Sequence, residues 1–366
     1  MLERAGALAL LGALALPFTT WMRWHYPDIN ESMRAVPLFI FTSLAITLGG
    51  LFLSNWDKPL GFFCSYCGIS TLFTQTSLSL AMAHWIIVAS ALYIVLVNLL
   101  SIEIYRKLAV VGLLISATIQ SIVALLQLSE FSFVTYAQKG FVHGTLTHHT
   151  FLGVFLAMII PLASMLALPI LLVGLLTSAS LTGFVAAFIG LVSQVKNRRF
   201  QIALSVLALL LTCYTFWNKS HDSLYSRLRL WIGAFRDFDT SWRFLLFGKG
   251  LGSWFTAGYL DIKDPEQVFY QAHNEYLQLL YEMGILGVFF LAWWIYANRA
   301  TFKSGAVIAL AVCCFSTYVF HLVFLSVTAI IILAICKNQK VKAQERKEIK
   351  CDDILSPALS SSAYYL

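Results

Sequence analysis

The sequence predicts an all-α, polytopic membrane protein of about twelve transmembrane helices with one large outward-facing loop. Three observations carry this. Continuous apolar runs of span length recur along the chain, charged residues avoid them, and Lys and Arg collect in the short turns between them. Apolar residues make up 59% of the chain and charged residues 12%, against about 45–50% and about 25% in soluble domains. A water-soluble fold of 366 residues cannot hide that much apolar surface, because buried fraction rises too slowly with size. Lipid is the alternative solvent, and a helical span in it needs roughly 20 largely apolar residues. The runs are continuous rather than alternating, which excludes a closed β-barrel.

In chain order, Ala5–Met22, Ala35–Leu53, Leu60–Leu80, Ala83–Leu100 and Leu108–Leu128 read as spans. Phe200–Trp217, Leu277–Ala297, Gly305–Phe320 and Leu322–Cys336 follow. The first run lacks a clear small-residue cleavage site and reads as a retained span rather than a signal peptide. Leu60–Leu80 is rich in Ser and Thr and is the weakest of the set. The stretch Thr150–Val195 fits either two comfortable spans or three short ones, and the distribution of basic residues decides between them. Lys58, Arg106–Lys107, Lys196, Arg198, Arg199, Arg299 and Lys303 mark cytoplasmic turns, as do Lys340, Lys342, Arg346 and Lys347 in the tail. With Arg4 also inside, both Ser129–His149 and Asn218–Glu275 face outward only if Thr150–Val195 crosses an odd number of times. Three short crossings, breaking near Leu168 and Ser180, satisfy this. Both termini are then cytoplasmic. The chain divides into an N-terminal transmembrane bundle (1–217), an outer loop (218–275), C-terminal transmembrane helices (276–336) and a polar, Ser-rich cytoplasmic tail (337–366) whose composition predicts disorder.

The net charge of +7 follows from basic turns and tail, so no nucleic-acid partner is expected. The seven cysteines form no disulfide framework. Cys64-x-x-Cys67 has half the spacing of a zinc or redox motif but no second pair, and reads as packing inside a helix. Neither a metal nor a cofactor is expected. A transporter would place charges within its spans near the midplane. The spans here are nearly free of charge, although Gln120 lies mid-span and His84 and His321 are near span ends. No internal repeat suggests two related halves.

Chemistry concentrates in the outer loop. In residues 223–238, Leu224, Leu228, Trp231 and Phe235 recur three and four apart, which predicts an amphipathic helix on the outer membrane face. Arg227 shares a side with Leu224 and Trp231 and so points toward protein or membrane. A guanidinium there requires an anion, because an unpaired charge out of water is costly. Its planar fork suits phosphate. For Arg229, Arg236 and Arg243, snorkelling to headgroups is at least as good a reading. Phe247-Gly-Lys-Gly-Leu-Gly-Ser-Trp254 follows, its glycines permitting positive φ. Such a turn can offer amides, notably that of Gly250, to an anion beside Lys249, or it can be a plain turn. His273, just before the re-entering helix, can titrate near neutrality and act as a base; taken alone, it reads as an interfacial cap. Gly284 and Gly287 would let a neighbouring helix approach. Arg227, the turn and His273 together suggest phosphate recognition beside a proton acceptor at the membrane surface.

These residues resemble the O-antigen ligase and O-antigen polymerase superfamily, which includes bacterial protein O-oligosaccharyltransferases. The resemblance rests on Ser226-Arg227-x-x-x-Trp231, Gly248-x-Gly250-x-Gly252-x-Trp254 and His273-Asn274-x-x-Leu277-Gln278-x-x-x-Glu282-x-Gly284-x-x-Gly287, in the family's order. Gly144-Thr145 through Phe151-Leu152 and Pro161-Leu162 resemble its mid-chain motif, with His148 and His149 where an Asn-rich turn is common. The resemblance implies a metal-independent, inverting glycosyltransferase of C-type membrane architecture in the bacterial inner membrane. Its donor would be a glycan on undecaprenyl diphosphate, presented at the periplasmic face, and its loop would be periplasmic. The acceptor most in keeping with the chain's modest length is lipid A–core, as in a ligase. A glycan repeat, as in a polymerase, or a protein is the alternative. Carried over, Arg227 would hold the donor diphosphate and His273 would take the acceptor proton. Arg229, Arg243, Lys249 and Gly250 would assist at the diphosphate, and Asn274, Glu282, His148 and His149 would support the site. Where the family often has a basic residue after a Ser, this chain reads Ser180-Leu181-Thr182-Gly183. A phosphate contact is then expected from Arg229, Arg243, Lys249, Arg23 or Arg34.

Overall fold

The computed structural model describes residues 57–74, 77–129, 142–199, 201–203, 221–236, 241–257, 259–260 and 268–339. The expected spans Ala5–Met22 and Ala35–Leu53, most of Phe200–Trp217, Arg23, Arg34 and the tail beyond residue 339 lie outside the described residues. Helices α1 (Lys58–Thr74), α2 (Ser77–Leu99) and α3 (Glu103–Leu128) lead into three short helices. These are α4 (His149–Ile159, continued by a 3-10 turn to Leu162), α5 (Leu168–Thr177) and α6 (Leu181–Val192). The outer loop contributes α7 (His221–Arg236), α8 (Trp242–Phe247), α9 (Ser253–Ala257) and a minimal antiparallel pair, β1 (Tyr259–Leu260) with β2 (Val268–Phe269). The chain closes with α10 (Glu275–Ala297), α11 (Gly305–Ser316), a 3-10 turn at Val319–His321 and α12 (Val323–Gln339). Apart from that strand pair, the regular structure of the described residues is helical.

Three of these helices are long and apolar enough to cross a membrane: α2 over Met82–Leu99, α3 and α10. At 1.5 Å per residue, the 26 residues of α3 extend about 39 Å. Helix α2 already begins at Ser77, so Ser77–Leu80, which the composition assigned to the preceding span, belong to α2. Thr150–Val195 is broken by loops at 163–167 and 178–180, next to the expected Leu168 and Ser180.

Contacts at the ends of these short helices show how the segment folds back on itself within the bundle. At one end Gln194 Nε2 donates to Pro161 O (2.9 Å), and Gly190 abuts Gly305. The neighbouring Asp57 carboxylate accepts from Trp294 Nε1 (3.2 Å) and Asn298 (3.3 Å) and pairs with Lys337 (3.4 Å). Asn338 reaches Val97 O at 2.8 Å. The basic turns around Lys58, Lys196, Arg299 and Lys303 adjoin this end. At the other end Ser316 Oγ donates to Thr182 Oγ1 (2.8 Å), and a Cβ on Gly183 would strike the backbone of Gly153. Thus α4 and α6 run parallel, with α5 returning between their ends. Gly153, Gly174 and Gly190 allow this tight stacking, as small residues do where helices associate without hydrophobic driving force. The core centres on α4 and α12, where Leu152, Phe155, Phe324 and Leu325 are fully buried.

Helix α10 is broken at Gly284, where φ is 61° and ψ −165°. Backbone carbonyls released at such a kink need new partners. Lys249 N donates to Tyr281 O (3.0 Å), Gly250 N to Glu282 O (2.8 Å) and Tyr66 Oη to Met283 O (2.9 Å). The close neighbour admitted by Gly284 is the backbone of Leu246, at the end of helix α8, and of the following Gly248. Gly287 faces Met283 of its own helix. Cys67 packs against Met283 (Sγ to Sδ 3.9 Å) and Cys64 donates to Ser90 (3.1 Å), so both serve α1 packing.

Candidate active site at the loop end of the bundle

The amphipathic helix of the outer loop is α7, two residues earlier at each end than the 223–238 expected. Its apolar residues form two stripes. Leu230 (4% exposed) and Ala234 (1%) are buried against the protein, with Trp231 half-buried beside them. Tyr225, Leu228, Ile232 and Phe235 form the other stripe and are exposed. Leu228 and Phe235 therefore lie on a different side of the helix from the half-buried Trp231. Spacing alone cannot separate these faces, because both lipid and protein interior select apolar groups. Arg227 is half-buried on the inner side, one turn before Trp231.

His273 sits in the turn before α10 with φ +52°, a region that costs an L residue roughly 1–3 kcal/mol. Several bonds hold it there. Trp231 Nε1 donates to Ala272 O (2.8 Å), tying α7 to the residue before His273. The Ala272 amide donates to Gln278 Oε1 (3.1 Å). Asn274 caps α10 by accepting from Leu277 N (3.0 Å). The His273 ring meets Tyr318 edge to face at 4.8 Å, and Tyr318 meets Phe151 at 5.7 Å.

His148 caps α4, its Nδ1 accepting from Thr150 N (3.1 Å), and its ring lies 4.3 Å from that of His149. The preceding turn is held from within α3. Gln127 Oε1 accepts from the amides of His143 (3.0 Å) and Gly144 (2.9 Å), and Gln120 Oε1 from Thr145 N (2.8 Å). The mid-span Gln120 thus has a structural task, shaping the Gly144-Thr145 motif.

These elements bring Arg227, His148, His149, His273 and Tyr318 into one electrostatic cluster. Burial pushes the His273 imidazole down to about 3, with Arg227 and then His148 pushing the same way. Burial likewise lowers His148 to about 4, helped by His149, Arg227 and His143. Both rings are neutral at pH 7 and able to accept a proton or a hydrogen bond. Burial lowers the pKa of Arg227 as well, opposed by Tyr318. Arg227 remains a cation, and no carboxylate pairs with it among the described residues. A partly buried guanidinium beside neutral imidazoles is suited to an anion supplied from outside. Among the described residues, no group of three or more His, Cys, Asp and Glu is placed to hold a metal ion.

The other expected anion contacts are placed differently. The glycine turn has positive φ at Gly248 (71°), Gly250 (95°) and Gly252 (79°). Its amides, however, are spent inside the fold. Besides the bonds to α10, Leu251 N donates to Ser70 Oγ (3.1 Å), while Gly252 N (3.0 Å) and Trp254 N (3.3 Å) donate to the buried Glu282 carboxylate. This corrects the expectation that Gly250 offers its amide to an anion: the kink at Gly284 claims it. Glu282 supports the loop rather than the substrate. The Lys249 ammonium lies over the Tyr281 ring (4.9 Å) and the Phe244 ring (5.4 Å). Arg243 is exposed and 5.7 Å from Trp242. Arg229 donates to Ser226 (3.3 Å). Ser180 caps α6, accepting from Gly183 N (3.1 Å).

Tyr318, Glu275 and the role of His321 were not found from the sequence. Tyr318 is 45 residues from His273, and the packing of the turn after α11 against the start of α10 brings them together. An apolar cavity of about 500 Å³ lies between α2, α10, α11 and α12. Gln271, Glu275, Gln278, Glu282 and His321 form a connected polar group in its lining.

Comparison with known proteins agrees with the motifs. Residues 144–292 match the family model described as O-antigen ligase. A search of the curated proteins finds no match.

Proposed function

Because residues 144–292 match the family model described as O-antigen ligase, we propose that the chain is a membrane glycosyltransferase moving a glycan from undecaprenyl diphosphate to a hydroxyl of lipid A–core at the periplasmic face. One observation carries the reading furthest: Arg227, without a carboxylate partner among the described residues, sits in one cluster with the neutral His273. A diphosphate is the kind of anion that completes such a site. The chemistry follows from the charges. The acceptor oxygen attacks the anomeric carbon, and the bond from that carbon to the diphosphate oxygen breaks. His273 takes the acceptor proton, and Arg227 compensates the charge left on undecaprenyl diphosphate. A single displacement of this kind inverts the anomeric centre.

The apolar cavity beneath the outer end suits a lipid-linked substrate. The exposed stripe Tyr225, Leu228, Ile232 and Phe235 suits a helix lying in the outer interface of the inner membrane. In this reading both termini are cytoplasmic and the loop from 218 to 275 is periplasmic. The test is transfer by purified protein given undecaprenyl-diphosphate glycan and lipid A–core. Arg227→Ala and His273→Ala should each abolish transfer while the protein still inserts and purifies. Full activity of both would remove the site assignment. Transfer only to a glycan repeat or to a protein would replace the acceptor.

A further inference from the structure

His273 is held in a strained conformation, and the groups holding it lie outside the cluster described above. Glu275, two residues later, accepts from Phe320 N (2.6 Å) and contacts His321 Nδ1 (3.2 and 3.3 Å). It therefore ties the start of α10 to the Thr317–His321 turn, which carries Tyr318. Trp85 Nε1 holds the same turn from α2 by donating to Phe320 O (3.1 Å). Gln278, one turn along α10, accepts from Ala272 N (3.1 Å). Its amide nitrogen lies 2.9 Å from Gln271 Oε1, 3.1 Å from Glu282 Oε1 and 3.0 Å from His321 Nε2. When His321 gives its Nδ1 proton to Glu275, its Nε2 is free to accept from Gln278. The four side chains Gln271, Glu275, Gln278 and His321 thus form one connected lattice. It grips the backbone on the N-terminal side of His273 and the turn bearing the ring His273 touches.

We propose that Glu275 and Gln278, linked through His321, are positioning residues that set the His273 ring against Tyr318 for proton acceptance. The inference rests on the reading of His273 as the proton acceptor. A misplaced base costs rate without costing donor affinity, which is carried by Arg227 on another element. In reconstituted protein, Glu275→Ala and Gln278→Met should each lower kcat by about 10- to 100-fold, with donor KM within about threefold of wild type. Glu275→Gln keeps an acceptor for Phe320 N and His321 Nδ1, and should recover most of the rate. A wild-type kcat in Glu275→Ala and Gln278→Met overturns the proposal. So does a parallel loss of kcat, donor affinity and thermal stability in which Glu275→Gln is as impaired as Glu275→Ala, the pattern of a merely structural contact. If Glu275→Ala does not fold, Gln278→Met and Glu275→Gln decide by the same criteria. His273→Ala is measured alongside. If it keeps wild-type rate, the site reading fails; if it is inactive while Glu275→Ala is normal, positioning alone fails.

Discussion

The indole of Trp231 donates to the carbonyl of Ala272 across 2.8 Å, joining helix α7 to the residue before His273. Arg227 lies one helical turn before Trp231, so the same bond sets the register between the two groups of the site. Trp231→Phe keeps most of the ring and removes the donor. A hydrogen bond of this kind contributes about 0.5–1.5 kcal/mol net, which corresponds to as much as about tenfold in rate if its loss misaligns the transition state. Transfer by Trp231→Phe should fall by up to about that factor with protein yield unchanged. An unaltered rate would mean that α7 and the His273 turn are held together by other contacts.

Arg227 should not be replaceable by Lys. Both carry a charge, but only the guanidinium presents a planar fork to two phosphate oxygens. Removing an oriented donor from a developing charge typically costs about 100- to 1,000-fold. Arg227→Ala should lose at least that much, with Arg227→Lys in between. Steady-state kinetics with varied donor would show it. Equal activity of Lys and Arg would reduce Arg227 to a point charge.

Arg227 shows how far the sequence could be read. That it turns away from open water followed from sharing a helical face with Trp231. The partition of the remaining apolar residues of α7 did not, because Leu228 and Phe235 are exposed while Leu230 and Ala234 are buried against protein, and an apolar side chain suits either a membrane-facing or a protein-facing position. The glycine turn was legible in its backbone, since Gly248, Gly250 and Gly252 all have positive φ. What its amides face was not, because the acceptors Tyr281 O and Glu282 O exist only once Gly284 breaks α10 some thirty residues later. Tyr318 and Glu275 join the site through packing alone, and no local pattern marks them. The breaks of Thr150–Val195 near Leu168 and Ser180, by contrast, fall next to where the sequence put them.

Acid should destabilise the fold through the buried imidazoles. His273 and His148 have folded values of about 3 and about 4, against about 6.5 in an unfolded chain. Between those limits the unfolded state binds more protons. Stability is therefore full above about pH 6.5 and falls as pH drops, by up to about 1.4 kcal/mol per pH unit per group. Thermal unfolding in detergent between pH 7 and pH 4 should show this slope, and His273→Ala should flatten it. A slope unchanged by His273→Ala would place the acid sensitivity elsewhere. A bound diphosphate would oppose the Arg227 charge, so donor should shift the His273 titration upward.

The kink in α10 and the glycine turn form one joint, and glycine substitutions separate its two sides from ordinary helix effects. Gly284 has φ 61° and ψ −165°, a region open essentially to glycine alone. A Cβ there would also strike the backbone of Leu246 and Gly248. Gly248 has φ 71°, and a Cβ on it would meet the backbone of Glu282 and Met283. Gly284→Ala and Gly248→Ala should each cost at least about 2 kcal/mol, because strain and collision add. Gly233 lies in α7 with nothing within 4 Å of a built Cβ. Gly233→Ala should instead leave stability unchanged or raise it by up to about 1 kcal/mol through helix propensity. Thermal unfolding of the three variants in one detergent would order them. If Gly284→Ala were as stable as wild type, α10 would tolerate a straight helix there. The glycine turn would then no longer depend on the carbonyls of Tyr281 and Glu282 for its place in the bundle.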